Sequence, residues 1–257
     1  MNELTSNQIS KRNEKSTVLL FDIDGTLTLP RERIKPSLKE KIKRLSEKYI
    51  IALVGGGTYG HISEQIEDLV SICDYIFTEN GTKTYKDNEV IYEIEIKNIL
   101  GEKLLREIID YCLFYMSNIK LPFKRGTFFE LRTGLINICP MGRNCTYNER
   151  LEFIEYNNKH KVLERMNDDL KDRFKDYPHL VFSIGSSVSI DLFVEGYRKP
   201  FCLRFIDDKR IYFFGDKTFE GGNDYEISID KRVFQSFTVN SPDETEEILY
   251  RFDEGLL

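Results

Sequence analysis

The sequence predicts an α/β fold, a parallel-sheet core interrupted by an inserted α+β domain. Three observations carry that expectation. Short apolar strands alternate with helical segments over the first third of the chain. Antiparallel hairpins and two helices occupy the middle. The strand pattern of the first third then returns at the end. Strand–helix–strand alternation implies a parallel sheet with helices packed on it.

Taken in order, Val18–Phe21 is the first strand, and Ser37–Lys48 is a helix with Leu38, Ile42 and Leu45 at helical spacing. Ile50–Val54 is a continuous apolar run, as expected of a strand buried on both faces. His61–Val70 is helical through Ile62, Ile66 and Leu69, and Ile72–Phe77 is the third strand. Thr82–Tyr85 and Val90–Ile94 form a hairpin around Lys86–Glu89. Gly101–Asn118 is a helix, Thr127–Leu131 pairs with Leu135–Cys139, and one long charged helix runs through Asn148–Phe174. Val181–Ile184 and Val188–Phe193 pair around a turn at Gly185-Ser186-Ser187. The core pattern resumes with strands Ile211–Phe214 and Ser236–Val239 and a closing helix, Asp243–Phe252. The boundaries read as a disordered tail over 1–15, core over 16–90, inserted domain over 91–196 and core again over 197–257.

Alternation in the inserted sheet sets its faces. Phe129 and Leu131 oppose Glu130 and Arg132, Ile136 and Ile138 oppose Asn137, and Ile190 and Leu192 oppose Ser189 and Asp191. Helices are expected to cover the apolar face, leaving a polar face that is either solvated or turned to a ligand.

Composition narrows the function classes. The net charge of −6 over 257 residues argues against general nucleic-acid binding, which draws on a basic surface. No apolar run approaches the ~20 residues needed to span a bilayer, and Met1–Lys15 lacks the apolar stretch of a secretory signal. The five cysteines show no Cys-x-x-Cys spacing, which reads as free thiols in a reducing, cytoplasmic setting.

The strongest chemical signal is Asp22-Ile-Asp24-Gly25-Thr26, directly after the first strand. Ligands of open α/β sheets collect at the carboxyl ends of strands. Two carboxylates two residues apart there repel each other unless a cation joins them. Mg²⁺ suits that task, being hard, oxygen-seeking and commonly shared with substrate phosphate. Gly215-Asp216 follows another strand and leads to Gly221-Gly222-Asn223-Asp224, so a third carboxylate would complete a metal site. Gly55-Gly56-Gly57-Thr58 ends the second strand, a run that suits backbone amides gathered round a phosphate. Lys199 alone would be a surface residue, and gains interest because phosphoryl chemistry needs a cation.

Together these motifs resemble the haloacid dehalogenase superfamily, and more closely its eukaryotic-type phosphomannomutases. The resemblance runs through Phe21–Arg31, Thr78–Gly81, Lys124–Arg132, Pro140–Arg143, Glu149-Arg150, Ser189–Asp191 and Phe213–Asp224. It implies a Rossmann-like haloacid dehalogenase core with an inserted cap domain, and a homodimer formed through the cap. Asp22 resembles the nucleophile and Asp24 the general acid/base. Asp22, the backbone at Asp24, Asp216 and nearby Asp224 resemble the Mg²⁺ ligands. Thr26, Gly56, Thr58 and Lys199 fall at phosphate-binding positions. Arg31, Arg132, Arg143, Arg150, Ser189 and Asp191 fall at substrate contacts. The implied activity exchanges mannose 6-phosphate and mannose 1-phosphate through a hexose 1,6-bisphosphate, feeding GDP-mannose synthesis. The same site could serve a sugar-phosphate phosphatase or a binding protein without turnover; phosphate release against isomerisation separates these. One departure stands out. Gly57 occupies the place of the family's usual serine, and Thr58 follows it. Tyr197, Arg198 and Pro200 around Lys199 also differ from the usual pattern.

Overall fold

The computed structural model describes residues 15–30, 32–207 and 209–256, so Arg31 and all of the expected tail except Lys15 lie outside the described residues. The chain divides into two compact units. One takes the residues up to Glu93 and those from Arg198 onward, and the other is Ile94–Tyr197.

The first unit is built on strands β1 (Thr17–Phe21), β2 (Ile50–Val54), β3 (Tyr75–Thr78), β4 (Lys83–Lys86) and β5 (Glu89–Glu93). Two more, β10 (Arg210–Gly215) and β11 (Val233–Thr238), come from the end of the chain. They form one sheet in the order β11-β10-β1-β2-β3-β4-β5. The first five in that order are mutually parallel, and β4 and β5 add antiparallel.

The apolar runs read from the sequence serve both faces of this sheet. Leu19 and Phe21 of β1 join Ile51 and Leu53 of β2 on one face, against α1 (Pro36–Leu45), α2 (Tyr59–Ile66) and α7 (Pro242–Asp253). Val18 and Leu20 join Ile50, Ala52 and Val54 on the other, with Cys202 and Leu203 of the 3₁₀ helix Lys199–Phe205 and Ile227 of α6 (Tyr225–Ser228). The chain leaves β1 toward one face and β10 toward the other. Their adjacent carboxyl ends therefore form the switch point at which open α/β sheets hold ligands.

The second unit packs α3 (Ile96–Asn118), α4 (Tyr147–His160) and α5 (Val162–Arg173) with a four-stranded antiparallel sheet. Its strands are β6 (Phe129–Leu131), β7 (Leu135–Ile138), β8 (Leu180–Ser186) and β9 (Ser189–Val194), in the order β6-β7-β9-β8. Ile136, Ile138, Ile190 and Leu192 are fully buried in its core, on the face that alternation assigns to the helices.

Several expectations need correction. The first hairpin belongs to the core sheet, and it turns on two residues, Asp87 and Asn88, both at positive φ (49° and 68°). That is the arrangement of a primed two-residue turn, which matches strand twist. Because β5 pairs as far as Glu93, the inserted unit opens at Ile94 rather than at 91. The expected long helix over 148–174 is two helices, broken at Lys161 in the left-handed region (φ 51°, ψ 44°). Asn157 makes the break, its backbone carbonyl accepting from Lys161 N–H at 2.7 Å and its Oδ1 from Leu163 N–H at 2.9 Å. The helix expected over 61–70 ends as an α-helix at Ile66, because Glu67 takes φ 56°. The helix expected to start at Gly101 begins at Ile96 and kinks at that glycine. Gly185 and Ser186 lie within β8 instead of forming the turn. All five cysteines are free, and burial pushes the Cys112 thiol up to about 12.

Candidate active site

Phe21 and Phe214 are register partners, so β1 and β10 end side by side and deliver Asp22 and Asp216 to the same place. Asp22 N–H donates to the Phe214 carbonyl at 2.9 Å. The turn after β1 closes through Gly25 N–H to the Thr28 carbonyl at 2.7 Å. Gly25 sits at φ +91°, and a Cβ there would run into the Asp216 carboxylate. Glycine is thus required twice, by backbone conformation and by the approach of an acid from the neighbouring strand.

Asp22, Asp216 and Asp224 each offer one carboxylate oxygen, and these oxygens lie within 4.8 Å of one another. Lys199 is buried and donates to both Asp22 and Asp224. Asp224 also accepts from Lys217 N–H at 3.2 Å. One cation therefore faces two buried carboxylates, and the triad carries an excess negative charge. Burial, together with the Asp224 charge, pushes Asp22 up to about 6 despite Lys199. Burial works against the ammonium of Lys199, but the two acids outweigh it and hold its pKa above the ordinary lysine value. Burial also raises Asp216.

These residues fit a hard divalent cation. The donors are all oxygen, the acids outnumber the lysine, and Asp216 Oδ1 is buried with no hydrogen-bond partner. An orphaned carboxylate oxygen is costly unless something binds it. Asp24, included among the expected metal residues through its backbone, keeps its side chain outside this cluster. Its Oδ1 accepts from Gln65 Nε2 of α2 at 2.8 Å.

The glycine loop after β2 is pinned from β3's end. Asn80 N–H donates to the Gly55 carbonyl and Glu79 N–H to the Gly57 carbonyl, with Glu79 and Asn80 both at positive φ. Gly56 lies in this loop, and Thr58 is the N-cap of α2, its hydroxyl accepting from His61 N–H at 3.5 Å. The Thr58 hydroxyl, one residue past Gly57, thus serves a helix end as an acceptor and keeps its O–H as a donor. Thr26 is fully buried with its hydroxyl unpartnered, and its carbonyl accepts from the Thr245 hydroxyl at 2.7 Å.

Within the second unit, the polar face of the sheet forms a continuous network. Asn137 donates to Ser189 Oγ at 2.8 Å and to Asp191 Oδ1 at 2.6 Å, and accepts from Arg143 at 2.5 Å. Glu130 bridges Arg132 at 2.8 Å and Arg143 at 3.2 Å. Arg132, Arg143, Ser189 and Asp191 are thereby brought together. Arg150 lies in the first turn of α4 and adds no side-chain hydrogen bond to this network among the described residues. Burial raises the Asp191 pKa, opposed by Asn137 and the two arginines. Sequence reasoning left Asn137, Glu130 and Gly185 out of the site, although alternation had already placed Asn137 and Glu130 on this face. Gly185 matters because the Asp191 carboxylate occupies the space its Cβ would take. Gly185→Ala is expected to push the Asp191 carboxylate away from Asn137, lowering stability by roughly 1.5–3 kcal/mol for the lost charged hydrogen bond. Denaturant melts check it, and an unchanged stability counts against Asp191 as the group that fills this space.

Comparison with known proteins adds identity of descent. A family model described as eukaryotic phosphomannomutase matches residues 38–253. Phosphomannomutase 2 of Dictyostelium discoideum is 45% identical over 93% of this chain and 97% of its own length. The phosphomannomutase of Dendrobium officinale is 44% identical over 90% of this chain and 91% of its own. Among solved structures, a haloacid dehalogenase-like hydrolase from Bacteroides thetaiotaomicron superposes with a TM-score of 0.61 at 16% identity, covering 93% of this chain and all of that one. A trehalose-6-phosphate phosphatase related protein gives 0.56 at 17% identity over 93% and 98%. At such identities the structures establish the shared haloacid dehalogenase-like fold.

Proposed function

The chain belongs to the eukaryotic phosphomannomutase family, and from that premise we propose that it interconverts mannose 6-phosphate and mannose 1-phosphate through a phosphorylated Asp22. The product supplies GDP-mannose synthesis. The observation that carries the reading is the meeting of Asp22, Asp216 and Asp224 around buried Lys199 at the ends of two adjacent parallel strands.

The step runs as follows. An Asp22 oxygen bonds to the phosphorus of a hexose 1,6-bisphosphate while the bond from phosphorus to the sugar oxygen breaks. That oxygen keeps the electron pair and takes a proton from Asp24. The reverse transfer, to the other hydroxyl of the sugar, returns the proton to Asp24. Lys199 offsets charge on Asp22 and on the arriving phosphoryl group. Asp22, Asp216, Asp224 and the backbone at Asp24 would hold Mg²⁺, which when bound supplies Lewis-acid neutralisation of phosphoryl charge. Thr26, Gly56 and Thr58 are the proposed phosphate contacts of the first unit. Arg31, Arg132, Arg143, Arg150, Ser189 and Asp191 are the proposed substrate contacts. The arginine forks suit the phosphate that is not transferred.

The same reading makes the protein a cytoplasmic homodimer joined through the second unit, where Leu113 and Phe114 of α3 are 45% and 68% exposed. Among the described residues no helix is long and apolar enough to cross a membrane.

The test is direct. Purified protein with Mg²⁺ and catalytic glucose 1,6-bisphosphate is expected to isomerise mannose 1-phosphate. Mass spectrometry after brief exposure to the bisphosphate is expected to find a phosphate on Asp22. Phosphate release without isomerisation would replace the mutase reading with a phosphatase.

A further inference from the structure

We propose that Gln65 is a positioning residue that fixes the carboxylate of Asp24 for proton transfer. The inference rests on the reading of Asp24 as the acid/base and goes beyond it by assigning what aims that group. Asp24 is exposed at the surface of its turn, and an exposed carboxylate ordinarily samples several rotamers. Here Gln65 Nε2 donates to Asp24 Oδ1 at 2.8 Å and to Thr28 Oγ1 at 3.1 Å, so both amide hydrogens have an acceptor. A carboxylate has no hydrogen to give, which sets the amide's orientation.

The amide is itself held. Thr28 passes the chain onward, its hydroxyl donating to the Ile23 carbonyl at 3.4 Å while its backbone carbonyl accepts from Gly25. The Gln65 backbone carbonyl accepts from Ile34 N–H at 2.8 Å, and its neighbour Ile66 and Ile62 one turn back are buried in the core. Gln65 therefore reaches Asp24 from a rigid helix. Oδ1 is thereby held in place by this amide. Alignment of that kind is what general acid catalysis needs first. Cutting this donor loosens the Asp24 carboxylate and leaves Asp22 and Lys199 untouched.

The two donors of the test differ in what leaves. Hexose 1,6-bisphosphate expels a sugar alkoxide that must be protonated, whereas acetyl phosphate expels acetate, which needs no proton. In Gln65→Met, phosphorylation of Asp22 by acetyl phosphate, read by mass, is expected to stay within about twofold of wild type. Phosphorylation by hexose 1,6-bisphosphate should slow about tenfold or more, part of the roughly 10²–10⁴-fold that general acid–base catalysis supplies. Gln65→Glu keeps the shape and sets a second carboxylate against Asp24, so it should show the same split should the Met variant fold poorly. Equal slowing with both donors would mean that Gln65 holds the whole turn, and no slowing with either would mean that it holds nothing of consequence; each outcome overturns the proposal. Failure of wild type to take phosphate from either donor would instead defeat the phosphotransfer reading itself, before any variant is compared.

Discussion

Lys199→Met should unfold at a temperature well below wild type and lose at least about a thousandfold in activity. Among the described residues Lys199 is the one side chain donating to both Asp22 and Asp224, and all three are buried. Removing one partner of a buried ion pair typically costs about 3–5 kcal/mol, because the remaining charge is stranded. For a domain of this size each kcal/mol moves Tm by roughly 2–4 °C, so a fall on the order of 10 °C is expected. Methionine roughly keeps the length of the stem, so the loss reports the ammonium rather than a cavity. Mg²⁺ separates the two consequences. A divalent cation shared by Asp22, Asp216 and Asp224 supplies positive charge to the same acids, and ligand binding to the native state stabilises it. Magnesium should therefore raise the Tm of Lys199→Met more than that of wild type, while activity stays lost. Thermal denaturation with and without the metal is the measurement. A variant as stable as wild type in chelator would show that the lysine is not balancing these acids.

The sequence made some parts of this molecule legible and hid others for physical reasons. β1 and β2 were readable because strands buried on both faces admit no polar residue, and Leu19 and Leu20, facing opposite cores, are both fully buried. Asp22 and Asp216 were readable because acids at strand ends are out of place without a cation, whereas Asp224, at the start of a short helix, entered through the family resemblance. Alternation located the polar face in the second unit from Asn137 between two isoleucines. The break at Lys161 was not readable: no glycine or proline marks it, and an asparagine side chain four residues earlier closes it. Gln65 was hidden differently. Glutamine is an ordinary residue on a helix surface, and only the fold shows that this one meets the turn after β1. The Gly185 requirement was equally invisible, since the carboxylate that fills its place lies on the next strand.

Asp22→Asn should be inactive and, without metal, more stable than wild type at pH 7. Inactivity follows from the proposed mechanism, because an amide cannot form the phosphoenzyme it requires. The stability gain follows from the sign of the Asp22 shift. Burial raises its folded pKa from 3.8 to about 6. A raised carboxyl favours the folded state while protonated. That contribution is full below the unfolded value near 3.8 and is lost as pH climbs through about 6. At pH 7 wild type has lost it and carries a buried charge that Lys199, shared with Asp224, only partly balances. Asparagine has the shape of the protonated acid and keeps the contribution at every pH. At 1.36 kcal/mol per pKa step the gain is on the order of 2–3 kcal/mol at pH 7. It should shrink to nothing as pH falls below about 4, where wild-type Asp22 is neutral as well. Magnesium should reverse the ranking, because the ionised aspartate is the proposed ligand and an amide is a poor one. Denaturant melts of both proteins across pH 3.5–7.5 in chelator, repeated with Mg²⁺, carry the test. If metal-free Asp22→Asn were the less stable protein at pH 7, Lys199 would be compensating both acids fully, and the excess negative charge that makes this a cation site would not exist.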